Sequence, residues 1–178
     1  MGNPGKIFDG LLVLQYQSGN KKALALLVKR HHPKLCKHAF WYTHDLDISQ
    51  DIVQDCWTQI MRKIGSLRDP NSFGSWALRI VTRKSLDYLN RASRERNELR
   101  SIDKTKTLDY PAVDRASDLE NLRAAIKELP DSQQQVLHLF YTEAYSLKEI
   151  SAILEIAPGT VKSRLYHARE KLKTILKK

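Results

Sequence analysis

Apolar residues recur along this chain at spacings of three and four, with no sustained alternation of the kind that half-buried strands show. Ile7 to Tyr16 makes a short amphipathic helix, ended by Ser18-Gly19-Asn20. A longer pattern starts at Lys21, with Leu24, Leu27, Val28, Leu35, Ala39 and Phe40 apolar, and Pro33 predicts a kink or break within it. Asp45-Leu46-Asp47 is a capping-rich turn into a third helix, roughly residues 48–64, whose inner side is Ile52, Val53, Cys56, Ile60 and Ile64. Residues 65–71 form a loop containing Asp69-Pro70. A fourth helix follows from about Ser72 to beyond Tyr88, carrying Phe73, Trp76, Ala77, Ile80, Val81 and Leu89. Residues 92–117 have no apolar stripe and are rich in charge, Ser and Thr, the composition of a linker. From Asp118 the helical spacing returns through Leu119, Leu122, Ala125, Ile126 and Leu129. Pro130 opens a further helix with Val136, Leu137, Leu139 and Phe140 inside. The expected architecture is all-α: two small helical domains, residues 1–95 and 118–178, joined by a charged linker over 96–117.

The stretch 146–172, SLKEISAILEIAPGTVKSRLYHAREKL, reads as a helix-turn-helix. Ser146 and Glu149 have the spacing of a capping box, in which hydroxyl and carboxylate serve each other's backbone N–H. Ile150, Ile153 and Leu154 make one apolar face. The helix has to stop before Ala157-Pro158, because the residue preceding a proline is pushed out of the helical region. Pro158 suits the first position of a second helix, where a missing N–H costs nothing. Val161, Leu165, Ala168 and Leu172 form its buried stripe, leaving Lys162, Ser163, Arg164, Tyr166, His167 and Arg169 outward. Short donors and cations on the first turns of a second helix are what a DNA major groove requires. A helical hairpin with a basic solvated face is the plainer alternative.

Charge weighs against that alternative. The formal net charge is +10, and it is clustered. Residues 72–100 carry seven Lys/Arg against three acids, and 158–178 carry seven against one, whereas 101–157 carry six against ten. Two basic segments separated by an acidic one suit a polyanion met at two places. No apolar run approaches the length of a membrane span, and MGNPGKIFDG lacks a signal-peptide core. A cytoplasmic protein without a membrane span is therefore expected. Cys36 and Cys56 form no C-x-x-C pair, and His31, His32, Cys36 and His38 match no zinc spacing. Buried thiols and helix-surface histidines are expected there. No phosphate loop, nucleophile elbow or H-E-x-x-H motif is present, so no catalytic residue, metal or cofactor is assigned.

The order of motifs resembles a known family. DIVQDCW (51–57) and SFGSWALRI (72–80) lie in the leading domain; LP (129–130), LKEIS (147–151) and GTVKSRL (159–165) lie in the trailing one. This arrangement is similar to bacterial RNA polymerase sigma factors of the extracytoplasmic-function (ECF) group, which keep two DNA-binding domains joined by a linker. With six residues after Leu172, no further C-terminal domain is expected.

The resemblance implies several roles. Asp51, Gln54 and Asp55 share one helix face opposite Val53, Cys56 and Ile60, and would meet the clamp helices of the polymerase's largest subunit. The trailing domain would meet the flap of the second-largest subunit. The loop 65–71 and the helix after it correspond to the promoter −10 reader, which holds a flipped base on a separated strand. There Asn71, Arg79, Arg83 and Lys84 would supply polar and cationic contacts, and Phe73 or Trp76 a planar surface, although helical spacing favours the core for both aromatics. The family's frequent I-A-R-N appears here as Ile80-Val81-Thr82-Arg83. Thr160, Lys162, Ser163, Arg164, Tyr166, His167 and Arg169 fall on the −35 recognition helix, with His167 where arginine is frequent. Ala157 lacks the usual hydroxyl cap, a loss of about 1 kcal/mol. An anti-sigma factor is the further partner implied.

The competing reading is a conventional helix-turn-helix regulator whose residues 1–95 sense a ligand or dimerise. It has no use for the acidic face of 51–57 followed by an aromatic, basic helix. If two domains flank a linker, limited proteolysis should cut within residues 92–117 and leave two protected fragments; uniform resistance would refute the division.

Overall fold

The computed structural model describes residues 4–100 and 118–176, and every regular element among them is helical. The chain clusters into two compact units, Met1–Asp103 and Lys104–Lys178. In the first, α1 spans Pro4–Gln17, α2 Lys22–Thr43, α3 Leu46–Lys63 and α4 Phe73–Arg100, with 3₁₀ turns at Ile64–Ser66 and Pro70–Ser72 between α3 and α4. In the second, α5 spans Asp118–Lys127, α6 Asp131–Leu137, α7 Leu147–Leu154 and α8 Pro158–Leu176. α4 thus continues past the point where the linker was expected to begin, and most of the stretch 96–117 lies outside the described residues.

α2 is the centre of the first unit and packs against α1, α3 and α4. Its buried stripe runs through Leu27, His31, Leu35, His38 and Ala39. Pro33 does not break this helix, contrary to the expectation. The proline is exposed, and the stripe on the opposite side is buried continuously on both sides of it, so packing outweighs the lost N–H. α3 begins where Asp45 Oδ1 accepts from the Ile48 N–H at 3.0 Å, the capping role expected of that turn. Val53, Cys56, Ile60, Phe73, Ala77 and Val81 complete the interior.

Two of the histidines expected on helix surfaces lie in this interior instead. His31 is 8% exposed and His38 is fully buried. Each has a polar partner that sequence spacing does not reveal, because it comes from another helix. His31 Nε2 donates to Asp9 Oδ2 at 2.9 Å, and Arg30 Nε donates to the other oxygen at 2.7 Å. His38 Nε2 shares a hydrogen bond with Thr82 Oγ1 at 2.9 Å. Burial holds His31 below its ordinary pKa despite the opposing pull of Asp9.

In the second unit α8 packs on α5, α6 and α7 over Ala125, Leu139, Ile150, Ile153, Val161, Leu165 and Ala168. Gln134 Nε2 closes the α5–α6 turn by donating to Leu129 O at 2.8 Å. α6 then widens into a π-helical turn at His138–Thr142. Phe140, expected inside, is left half-buried by that widening. Among the described residues no helix is long and apolar enough to cross a membrane.

The Asp9 cluster makes a direct test. Asp9→Ala strips the buried His31 of its acceptor and should cost the first unit about 2–3 kcal/mol. Urea unfolding followed by helicity reads this, and a loss within the roughly 0.5 kcal/mol of an ordinary surface change would contradict it.

Candidate nucleic-acid interface

The helix-turn-helix is held from its first residue. Ser146 Oγ accepts from the Glu149 N–H at 3.4 Å, and Glu149 Oε2 accepts from the Ser146 N–H at 3.0 Å, so the capping box is closed in both directions. α7 ends at Glu155, which takes a left-handed conformation with φ 55°. Ser151 Oγ then donates to Ile156 O at 2.6 Å, pinning the turn before Pro158 starts α8. With Val161, Leu165 and Ala168 buried, Lys162, Ser163, Tyr166, His167 and Arg169 face outward, while Thr160 and Arg164 are half-buried at the edge.

Two of these side chains are ordered by neighbours. Ser163 Oγ donates to Thr160 O at 3.1 Å, which turns the hydroxyl's lone pairs outward as acceptors. The Arg169 guanidinium lies 5.6 Å from the ring centroids of both Phe140 and Tyr141. Those two rings meet edge to face at 5.0 Å, so the π-helical turn offers the cation a ready platform. Tyr141, 61% exposed, was missed as a member of this surface. The adjacent pair Phe140-Tyr141 was the available signal, but only the π turn brings both rings to Arg169. Lys171 Nζ donates to Glu128 O at 3.0 Å and ties α8 to the end of α5.

In the first unit the loop before α4 is fastened to α1. Gln17 Nε2 donates to Ile64 O at 3.0 Å and to Leu67 O at 3.1 Å. The Asn71 side chain lies over Gly10, in the space that a Cβ there would need. Asp69 Oδ1 accepts from the Asn71 N–H at 3.1 Å and opens the last turn before α4. Phe73 is fully buried with His31 edge-on at 5.0 Å, so it offers no open ring face and is a core residue, not a base platform. Trp76 is half-buried. Arg79 and Arg83 are exposed and share its side of the helix at i, i+3 and i+7. Within Ile80-Val81-Thr82-Arg83 the first three residues are buried and only Arg83 faces out.

On α3, Asp51, Gln54 and Asp55 are exposed together opposite Ile52, Val53, Cys56 and Ile60. Trp57 belongs to the core at 6% exposure, its indole N–H donating to His32 Nδ1 at 3.2 Å. Lys84 Nζ lies 3.0 Å from Asp55 Oδ2, a link between α4 and α3 that sequence spacing did not suggest. His31, His32 and His38 go to different partners, and Cys36 lies 3.5 Å from His32 Nε2. Burial raises the Cys36 thiol above its ordinary value and pushes Cys56 up to about 12, so both remain protonated at neutral pH.

The chain matches the sigma-70 region 2 family over residues 27–95 and the sigma-70 region 4 family over 119–172. It is 30% identical over 173 residues to the ECF RNA polymerase sigma factor SigM of Mycobacterium tuberculosis, covering 94% of this chain and 84% of that one. It is 28% identical over 177 residues to the ECF RNA polymerase sigma-E factor of Escherichia coli strain K12, covering 93% and 92%. Its fold is shared by the sigma factor RpoE of Bartonella quintana, solved with the anti-sigma factor NepR, at a TM-score of 0.67 and 24% identity over 88% of this chain and 98% of that one. CnrH, solved with the cytosolic domain of CnrY, also gives a TM-score of 0.67 at 24% identity, over 96% and 97%. The competing regulator reading gains no support from any of these. With both regions present in order, the chain belongs to the ECF sigma factors of RNA polymerase.

Proposed function

We propose that this sigma factor divides its work as residues 1–95 for polymerase docking and the −10 element, 96–117 as linker, and 118–178 for the −35 element. The outward edge of α8 supports this most directly: Lys162, Ser163, Tyr166 and His167 project from a helix whose other side is locked by Val161, Leu165 and Ala168. That edge offers short donors, acceptors and a cation, the kinds of group that pair with base edges in a major groove. Arg169, braced on Phe140 and Tyr141, serves the phosphate backbone beside it. On α4, Trp76 with Arg79 and Arg83 combines an aromatic surface with cations, the pairing that single strands favour. Asp51, Gln54 and Asp55 dock on the clamp helices of the largest polymerase subunit, and the second unit meets the flap of the second-largest. Strand opening then draws on binding energy, with no reaction catalysed by this chain. An anti-sigma factor is proposed as a regulatory partner, since NepR accompanies the RpoE structure that shares this fold.

In vitro transcription with core polymerase on a randomised promoter library tests the whole reading: the chain should select paired −35 and −10 elements, and no selected promoter would overturn it. Within it, Lys162→Ala or His167→Ala should change the preferred −35 sequence at one or two positions, each base contact being worth roughly 1–3 kcal/mol. If both variants select the wild-type motif, α8 does not read bases through these side chains. Trp76→Ala or Arg83→Ala should reduce permanganate reactivity at the −10 element by about tenfold, as expected for losing 1–3 kcal/mol of strand stacking, while duplex binding changes little. Normal opening in both would remove them from the −10 reader.

A further inference from the structure

The Asp55–Lys84 pair joins two surfaces assigned to different partners. The carboxylate comes from the acidic face of α3 and the ammonium from the DNA-facing helix α4, at 3.0 Å. The helices themselves are fixed by Val53, Cys56, Ile60, Ala77 and Val81, all fully buried. The pair is not: the side chains are 70% and 40% exposed, so each remains within reach of an outside partner. Beside it runs a groove of about 360 Å³ whose lining includes Arg62, Lys63 and Lys84 with Asp55 as its one acid. While Asp55 faces Lys84, that carboxylate offsets part of the groove's positive charge. Take the carboxylate away and three cations face the groove uncompensated.

We propose that Asp55 serves two partners in turn: it holds the Lys84 ammonium in the free protein and releases it to the phosphodiester backbone of a separated DNA strand when a cationic group of the polymerase takes the carboxylate. The proposal rests on the reading that α3 meets polymerase and α4 meets DNA. Lys84 contacts Asp55 Oδ2 on a side chain that is 70% exposed, so a polymerase cation that draws the carboxylate toward itself weakens that contact. The two binding events are thereby coupled, and the coupling is reciprocal. An exposed ion pair limits the effect to a factor of about five. Polymerase docking therefore raises strand affinity modestly, and the free sigma factor is kept from spending Lys84 on stray nucleic acid.

A double-mutant cycle on the full-length chain tests this with a 12-residue oligothymidylate as the probe, read by fluorescence anisotropy at low salt. Asp55→Ala should tighten binding by roughly two- to fivefold and steepen the salt dependence by about 0.7, the increment of one single-strand phosphate. In a Lys84→Ala background the same substitution should change affinity less than about twofold. Asp47→Ala, which removes an equal charge from the first turn of α3, should also stay within about twofold. Equal tightening by Asp47→Ala, persistence of the Asp55 effect without Lys84, or no effect of Asp55→Ala at all would overturn the proposal. Wild-type binding that Trp76→Ala weakens while Asp55→Ala leaves it unchanged would keep the −10 reading and overturn this one. No binding by any form would overturn both.

Discussion

The Phe73 ring, fully buried with His31 edge-on at 5.0 Å, is the contact on which the first unit's working surface depends. Phe73 is the first residue of α4, His31 lies in the middle of α2, and Asp9 from α1 accepts a hydrogen bond from the His31 ring N–H. Three helices are thus joined around one apolar ring and one buried hydrogen bond. Because α4 leaves that point as a continuous helix, the origin and phase given to it by Phe73 determine where Trp76, Arg79 and Arg83 emerge. Moving the ring out of the core would rotate or shift the face that carries all three. Burial of the aromatic ring is worth several kcal/mol, far more than any single exposed cation contributes, so the core decides the geometry of the polar face.

The second unit reaches the same end by different means. Its recognition helix is set by a stripe of small and branched residues, Val161, Leu165 and Ala168, and by the closed capping box that starts α7. The turn between α7 and α8 has no glycine. Glu155 takes the left-handed position itself, at an expected cost of about 1 kcal/mol, and the Ser151 to Ile156 hydrogen bond offsets part of this. Arg169 shows how a surface cation is prepared for an anion without being buried. Two rings restrict its side chain, so less conformational entropy remains to be lost on binding.

Charge on this molecule is arranged more finely than its net excess suggests. Lys84 in the segment 72–100 faces Asp55 and Lys173 in the segment 158–178 faces Glu170, so part of each basic segment is engaged internally, and Arg30 outside both is engaged by Asp9. The exposed Asp55–Lys84 pair adds little to stability, as is usual for solvated ion pairs. Its consequence lies in what each group is available to meet, and that follows from α3 and α4 lying side by side.

Helical periodicity, Asp45 as a cap, the Ser146–Glu149 box, the Pro158 start and the outward set on α8, apart from the half-buried Arg164, were legible along the chain, because each depends on residues within one or two turns of one another. The order of the motifs identified the family for the same reason. What local spacing could not supply was every feature that needs a second helix. It predicted a break at Pro33, where packing on both sides keeps α2 whole. It put His31 and His38 on the surface, where Asp9 and Thr82 instead satisfy them inside. It did favour the core for Phe73, and the ring is fully buried. The Lys84–Asp55 link and the Arg169 platform were invisible, their partners lying 29 and 28–29 residues away in sequence. Periodicity states which face of a helix is buried, but only tertiary packing decides which polar atoms meet across two such faces, since that depends on the helices' relative depth and rotation.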